Sequence, residues 1–232
     1  MSAATLATTL ATTLAIVPVK ELARAKSRLA RALTPVARRQ LVLAMLEDVL
    51  ALLSEFEAVA RIVVVTPDVD VAALARTFGA DTLNEDKPHG LNTAIRAGLG
   101  YACSRNFSRA LVIPADVPLA TRSEVLAVLS SAPAGGRPQT VLVPSEDGEG
   151  TNALLLAPPD AMQPAFGEGS FVRHVAQAVA LGLDFRVLRL PGLAADIDTF
   201  IEPLGELHGL LGAVAELAAR RLVHDLVQLR LD

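Results

Sequence analysis

The sequence predicts a single α/β domain built on a mostly parallel, doubly wound sheet. Three observations lead there. Short β-branched apolar runs alternate along the chain with longer stretches whose apolar residues recur at helical spacing. The runs within 61–65 and 109–113 stay apolar at successive positions, as strands buried on both faces do. And 232 residues, 52% hydrophobic and 20% charged, suffice for one large core. The loop 132–138, with Pro133, Gly135, Gly136 and Pro138, is the best candidate linker, but too few strands follow it to make a second domain.

Each element has its own justification. Residues 1–14 form an Ala/Thr/Leu tract without a cationic start, which reads as a loose tail and not as a signal peptide. Residues 15–19 read as the first strand. Thr34 is a plausible N-cap and Pro35 suits the first helical position, opening a helix over 35–56 with Val42, Met45, Leu46, Val49 and Leu53 on its apolar face. A strand over 61–65 ends at Thr66-Pro67-Asp68, and a helix over 69–78 follows. A weak strand at 80–83, a polar loop at 84–90 and a helix at 91–103 precede the strand 109–113, which Pro114-Ala115-Asp116 breaks. A helix at 123–130 leads to strands at 140–143 and 152–156, which flank the loop 146–151. A helix at 170–181 and a strand at 185–190 bring the chain to Asp196-Ile197-Asp198. Amphipathic helices are expected in the last thirty or so residues, with 15–207 as the domain and 208–232 as an extension packed on it or mediating a homodimer.

Composition excludes several functions. The net charge of −4 argues against a general nucleic-acid binder. No uninterrupted apolar run reaches the roughly 18 residues of a membrane span. A single cysteine, Cys103, excludes an intramolecular disulfide and a Cys-rich zinc site. A buried thiol is expected there, which suits a reducing cytoplasm. Charge is nevertheless uneven: Lys20, Arg24, Lys26, Arg28, Arg31, Arg38 and Arg39 face only Glu21 as an acid between Lys20 and Arg39. A phosphate-bearing small molecule needs such a patch, although a solvated helix face would look the same.

Ligands in a doubly wound sheet sit at the carboxyl ends of its strands. Asp116 closes one buried strand, and Asp196 and Asp198 share a face if that segment is extended. Three carboxylates converging there would repel one another unless a divalent cation such as Mg²⁺ lay between them. Each is also readable as a turn or cap residue, Asp116 more so than the Asp196/Asp198 pair. Gly148-Glu149-Gly150-Thr151-Asn152 is a tight polar loop, and Phe166-Gly167-Glu168-Gly169-Ser170 precedes a helix, where free N–H groups and a hydroxyl can take an anion or serve an ordinary turn. His174, one turn in, is either an anion ligand or a structural histidine. His89, His208 and His224 have no metal-ligand spacing. No G-x-S-x-G elbow, P-loop or G-x-G-x-x-G occurs, so hydrolase and dinucleotide-oxidoreductase readings lack support.

Taken in order, Ala15-Ile16-Val17-Pro18-Val19-Lys20, Ala25-Lys26-Ser27-Arg28-Leu29, Val65-Thr66-Pro67-Asp68, Ile113-Pro114-Ala115-Asp116-Val117-Pro118, the loop 148–152, the segment 166–171 with Arg173-His174, and Asp196-Ile197-Asp198-Thr199 resemble the 2-phospho-L-lactate guanylyltransferase family of coenzyme F-420 biosynthesis. The resemblance runs from Ala15 to about Leu207. It implies a three-layer, Rossmann-like nucleotidyltransferase fold and a reaction of GTP with a small phosphorylated carboxylic acid that releases pyrophosphate. The acid varies within the family among 2-phospho-L-lactate, phosphoenolpyruvate and 3-phospho-D-glycerate. It further implies Asp116, Asp196 and Asp198 as Mg²⁺ ligands, Lys20, Lys26 and Arg28 on the GTP phosphates, Asp116 and Lys26 as the catalytic pair, and Thr151, Gly167 and Ser170 on the phospho-acid. Residues 66–68 and 90–92 are candidates for reading guanine. The chain departs from the family at Phe200-Ile201-Glu202-Pro203, where a proline and an Asp-Leu pair are usual, and in the helices beyond Leu207. Two other readings stay open. A molybdopterin- or sugar-type nucleotidyltransferase usually has a glycine-rich loop where this chain has Pro18-Val19-Lys20-Glu21-Leu22, and a GTP-binding module without catalysis would share the fold.

Overall fold

A computed structural model of the chain describes residues 12–22, 34–84, 90–132 and 136–196. The expected site residues Lys26, Arg28 and Asp198, and the expected extension 208–232, lie outside the described residues.

Among the described residues seven strands form one sheet: β1 (Thr13–Pro18), β2 (Val59–Val65), β3 (Asp81–Leu83), β4 (Arg109–Val112), β5 (Gln139–Pro144), β6 (Thr151–Ala157) and β7 (Asp184–Val187). Their spatial order is β3-β2-β1-β4-β6-β5-β7. β1 pairs parallel with both β2 and β4, and β5 parallel with β7, while β6 runs antiparallel between β4 and β5. The sheet is therefore mostly parallel, as expected, with one reversed strand.

Strand alternation builds two cores. Ala15, Val17, Ile62, Val64, Leu111, Val141, Val143, Ala153 and Leu155 turn to one face, where α1 (Pro35–Ser54), α2 (Val69–Thr77), α4 (Arg122–Ser130) and the short α6 (Pro191–Ala194) pack. Leu14, Ile16, Val63, Val65, Val112, Leu142 and Leu154 turn to the other, under α3 (Leu91–Ser104) and α5 (Ser170–Ala180). The result is three layers. Truncating a fully buried member such as Leu46 or Ile95 to alanine would cost about 2–5 kcal/mol.

Most boundaries follow from local chemistry. Thr34 caps α1 through Oγ1, which accepts from the Ala37 N–H at 3.2 Å, and Pro35 follows at the first position. Asp68 caps α2 by accepting from the Asp70 and Val71 N–H groups. Several expectations need correction. β1 begins at Thr13, so two residues assigned to the loose tail are fully buried in the sheet. Cys103 is exposed, because Ala102 takes the core-facing position in the last turn of α3. The last strand stops at Val187 instead of running to residue 190, since Leu188 onward leads into α6, with Pro191 at its first turn. Among the described residues no helix is long and apolar enough to cross a membrane.

Candidate active site

The strand order reverses between β1 and β4, which continue on opposite sides to β2 and to β6. A crevice at the carboxyl ends of the strands opens at such a point. Lys20 stands exposed just past β1, held there by the Val19 N–H bond to the Val65 carbonyl at 2.9 Å. Asp116 stands half-buried four residues past β4. Because β6 is reversed, its first residue, Thr151, reaches the same rim as the last residues of β4 and β5.

Asp196 arrives at this rim by another route. The Ala194 carbonyl accepts from the Asn152 side-chain amide at 2.8 Å and from the Glu146 N–H at 3.0 Å, which ties the end of α6 to β6 and to the hairpin tip that follows β5. Glu124 then joins α6 to the loop that follows Asp116. Its Oε1 accepts from the Gly192 N–H at 2.7 Å, while its Oε2 accepts from the Thr121 N–H and hydroxyl, both at 3.0 Å. Glu124 thus completes the capping box of α4 and clamps α6 with one carboxylate. Only glycine fits at position 192, where a Cβ would lie 2.2 Å from the Leu119 carbonyl oxygen.

The three residues expected to hold the phospho-acid come together. The Ser170 hydroxyl donates to Thr151 Oγ1 at 3.4 Å, and the Ser170 N–H bonds the Gly167 carbonyl at 3.0 Å. Gly167 has φ +115°, a backbone state that side chains rarely adopt. Beneath them lies His174, fully buried. Its Nε2 accepts from the Ala165 N–H at 2.9 Å, which assigns the proton to Nδ1, and Nδ1–H donates to Thr151 Oγ1 at 2.9 Å. Burial, then the neighbouring Arg173 charge, pushes the His174 pKa down to about 4. Of its two open readings, the structural one holds: both ring nitrogens are engaged, so the ring orients Thr151 and is no anion ligand. Phe166 packs edge-on against it at 4.9 Å.

The segments considered for guanine are largely committed to architecture. Asn92 spends its amide on the Phe166 backbone, accepting from its N–H at 2.7 Å and donating to its carbonyl at 3.0 Å. Asp68 gives its second oxygen to the Leu22 N–H at 3.0 Å, and Thr66 Oγ1 accepts from the Asp68 N–H. Thr66, Asp68, Arg76, Thr82 and Asn84 nonetheless line a cavity of about 200 Å³ between α2 and the β3 edge.

Among the described residues no three His, Cys, Asp or Glu side chains converge, and Asp198 is not among them. Among the described residues Asp116 and Asp196 each bring a carboxylate to this rim, and the nearby imidazole is fully engaged. An all-oxygen set suits a hard divalent cation such as Mg²⁺. Sequence reasoning missed Glu124 and Gly192, and it considered Asn92 for guanine, where the structure has it holding the Phe166 backbone. The pattern Thr121-Arg122-Ser123-Glu124 is a legible capping box, but the partners Gly192 and Phe166 lie 68 and 74 residues away and leave no local signal.

Comparisons with known proteins identify a family and a fold for the chain. The family model for CofC-like guanylyl transferases matches residues 13–216. The chain is 45% identical over 188 residues to the phosphoenolpyruvate guanylyltransferase of Sphaerobacter thermophilus, covering 81% of this chain and 89% of that protein. It is 37% identical over 199 residues to the 2-phospho-L-lactate guanylyltransferase of Methanothermobacter thermautotrophicus, covering 85% of each. Among solved structures, a nucleotidyl transferase from Methanothermobacter superposes with a TM-score of 0.64 at 16% identity, covering 90% of this chain and 99% of that one, a likeness of fold. The chain therefore belongs to the family of CofC-like guanylyl transferases.

Proposed function

We propose that the protein transfers GMP from GTP to the phosphate of a small phospho-carboxylic acid, with Mg²⁺, and releases pyrophosphate, as a step in coenzyme F-420 biosynthesis. The observation that carries the reading is the meeting, on one rim, of a cationic and acidic half and a hydroxyl-rich half. Lys20 and Asp116 flank the switch point, and Thr151, Ser170 and Gly167 cluster at the start of the reversed strand. The phosphoenolpyruvate guanylyltransferase of Sphaerobacter thermophilus is 45% identical to this chain and the 2-phospho-L-lactate guanylyltransferase of Methanothermobacter thermautotrophicus 37%, so phosphoenolpyruvate is the acceptor we expect.

The chemistry asks little of a general base. An acceptor phosphate oxygen is already anionic. It attacks the α-phosphorus of GTP, the bond from that phosphorus to the oxygen bridging to the β-phosphate breaks, and pyrophosphate departs with the electron pair. The protein must bring two anions together in line and stabilise charge on the leaving group. Lys20, with Lys26 and Arg28, would neutralise the triphosphate. Asp116, Asp196 and Asp198 would hold Mg²⁺, which when bound draws negative charge from the phosphates. Thr151 Oγ1 accepts from His174 and Ser170, which leaves its own O–H to donate to the acid, and Gly167 lets the backbone approach closely.

The test is pyrophosphate release from GTP and Mg²⁺ with each of phosphoenolpyruvate, 2-phospho-L-lactate and 3-phospho-D-glycerate. Release is expected only when a phospho-acid is present. Turnover with CTP and a sugar phosphate instead would overturn the reading, and GTP binding without turnover on any acid would favour a non-catalytic module. Asp116→Asn, which removes charge and little volume, should abolish turnover and leave the fold intact.

A further inference from the structure

Among the described residues the sheet ends at β7, where Asp184, Phe185, Arg186 and Val187 are all exposed. The Asp184 N–H bonds the Pro138 carbonyl at 3.1 Å and the Leu188 N–H bonds the Leu142 carbonyl at 2.9 Å, so the even-numbered residues direct their backbone groups to β5. By the alternation of a parallel ladder, Phe185 and Val187 direct theirs outward. Such an edge is a template for another strand.

The sequence of this edge is complementary to itself. In an antiparallel pairing centred on Phe185, Asp184 of one chain stands opposite Arg186 of the other, and Arg186 opposite Asp184. These are non-hydrogen-bonded pairs, the ones whose side chains approach most closely. Phe185 meets its own copy and exchanges two backbone hydrogen bonds with it. The Val187 N–H reaches the Leu183 carbonyl of the second chain, once in each direction. The Leu183 N–H is already committed to the Ala178 carbonyl, so it takes no part. Phe185 and Val187, each 38% exposed, share a face with Leu183, which packs in the same core as Phe171 and Val175 of α5. Pairing would thus extend that core across the seam, Phe185 on Phe185 and Val187 on Leu183. Shifting the register by two residues loses both charge pairs, and shifting it by one turns an inward-facing backbone to the partner.

We propose that β7 pairs antiparallel with β7 of a second copy of this chain, about a two-fold axis at Phe185, and that the Asp184–Arg186 pairs fix the register. This surface differs from the C-terminal helices expected from the sequence to mediate a dimer. The proposal does not depend on the catalytic reading, since it is tested by mass.

Light scattering on the full chain at micromolar concentration should give twice the 24.3 kDa chain mass. Asp184→Arg and Arg186→Asp each place like charges opposite one another twice, and should weaken association about tenfold or more. Mixed in equal amounts, those two variants carry only opposite charges across the seam, so the doubled mass should return with one of each chain. The double variant D184R/R186D should dimerise alone, which also shows that either substitution is tolerated by the fold. A monomeric wild-type chain, single variants with unchanged mass, or a mixture that stays dissociated would each overturn the proposal. Cover by another part of the same chain would produce the first of these outcomes, and a dimer through another surface the second.

Discussion

Replacing Glu124 by alanine removes a side chain that ties the Asp116 loop to the approach to Asp196. Three hydrogen bonds to a carboxylate disappear, from the Gly192 N–H, the Thr121 N–H and the Thr121 hydroxyl. Bonds to a charged group contribute about 1.5–3 kcal/mol each, and a lost N-cap interaction costs about 1. Water can reach some of these groups once the carboxylate is gone, so the net cost is nearer 2–4 kcal/mol in about that range. For a domain of this size that lowers Tm by about 5–15 °C. The sharper consequence is catalytic. With Gly192 unheld, α6 can shift relative to Leu119, and the two aspartates lose their common frame. At the Mg²⁺ site proposed above, support of this kind is worth about 10–100-fold in affinity or rate. The assay is pyrophosphate release at saturating GTP and phosphoenolpyruvate, titrated with magnesium at a temperature well below the variant's Tm. Glu124→Ala should need more magnesium and turn over more slowly, and Gly192→Ala should do the same, because its Cβ would lie 2.2 Å from the Leu119 oxygen. A variant destabilised as calculated but unchanged in rate and magnesium dependence would refute the coupling.

Further outcomes follow from the same contacts. His174 has its pKa lowered to about 4, so below pH 6.5 the unfolded chain takes up a proton that the folded chain refuses. Stability is fully present above that pH and falls through the window from about 6.5 to 4 by about 3 kcal/mol, an order-of-magnitude figure. Urea unfolding at several pH values should show this fall in the native chain and not in His174→Asn; parallel curves would count against it. Asn92→Ala frees the Phe166 backbone and should raise the KM for the phospho-acid about tenfold with the KM for GTP unchanged, a split that steady-state kinetics reads directly. Arg109 is buried at the far end of β4, donating to the Leu129 and Ala132 carbonyls and to Thr13 Oγ1. Arg109→Ala should cost about 3 kcal/mol in thermal or chemical denaturation and leave kcat untouched.

The layered fold was legible because its signals are local. Consecutive apolar residues in β2 and β4, the Thr34-Pro35 start of α1 and the Pro114 break each act within a few residues. The direction of β6 was not legible, since Ala153-Leu154-Leu155-Leu156 is equally apolar read either way, and pairing partners decide its sense. The juxtaposition of Thr151, Gly167 and Ser170 followed from a resemblance of motifs, and the geometry gives it a physical basis in the ring of His174. Glu124 shows the limit. Its cap on α4 is written in four adjacent residues, whereas its grip on Gly192 exists only once α6 has folded back on the sheet.

The reversal of β6 also bears on how such a chain can change. A strand entering the rim by its first residue is preceded by a hairpin, and residues 146–150 of that hairpin are bounded by a ladder that already fixes β5 and β6. Lengthening or rewriting this tip alters what Thr151 faces without moving the ends of β1 and β4, where Lys20 and Asp116 stand. With the roles proposed for Thr151, Lys20 and Asp116, acceptor preference can therefore drift among descendants of one ancestor while nucleotide handling is inherited intact.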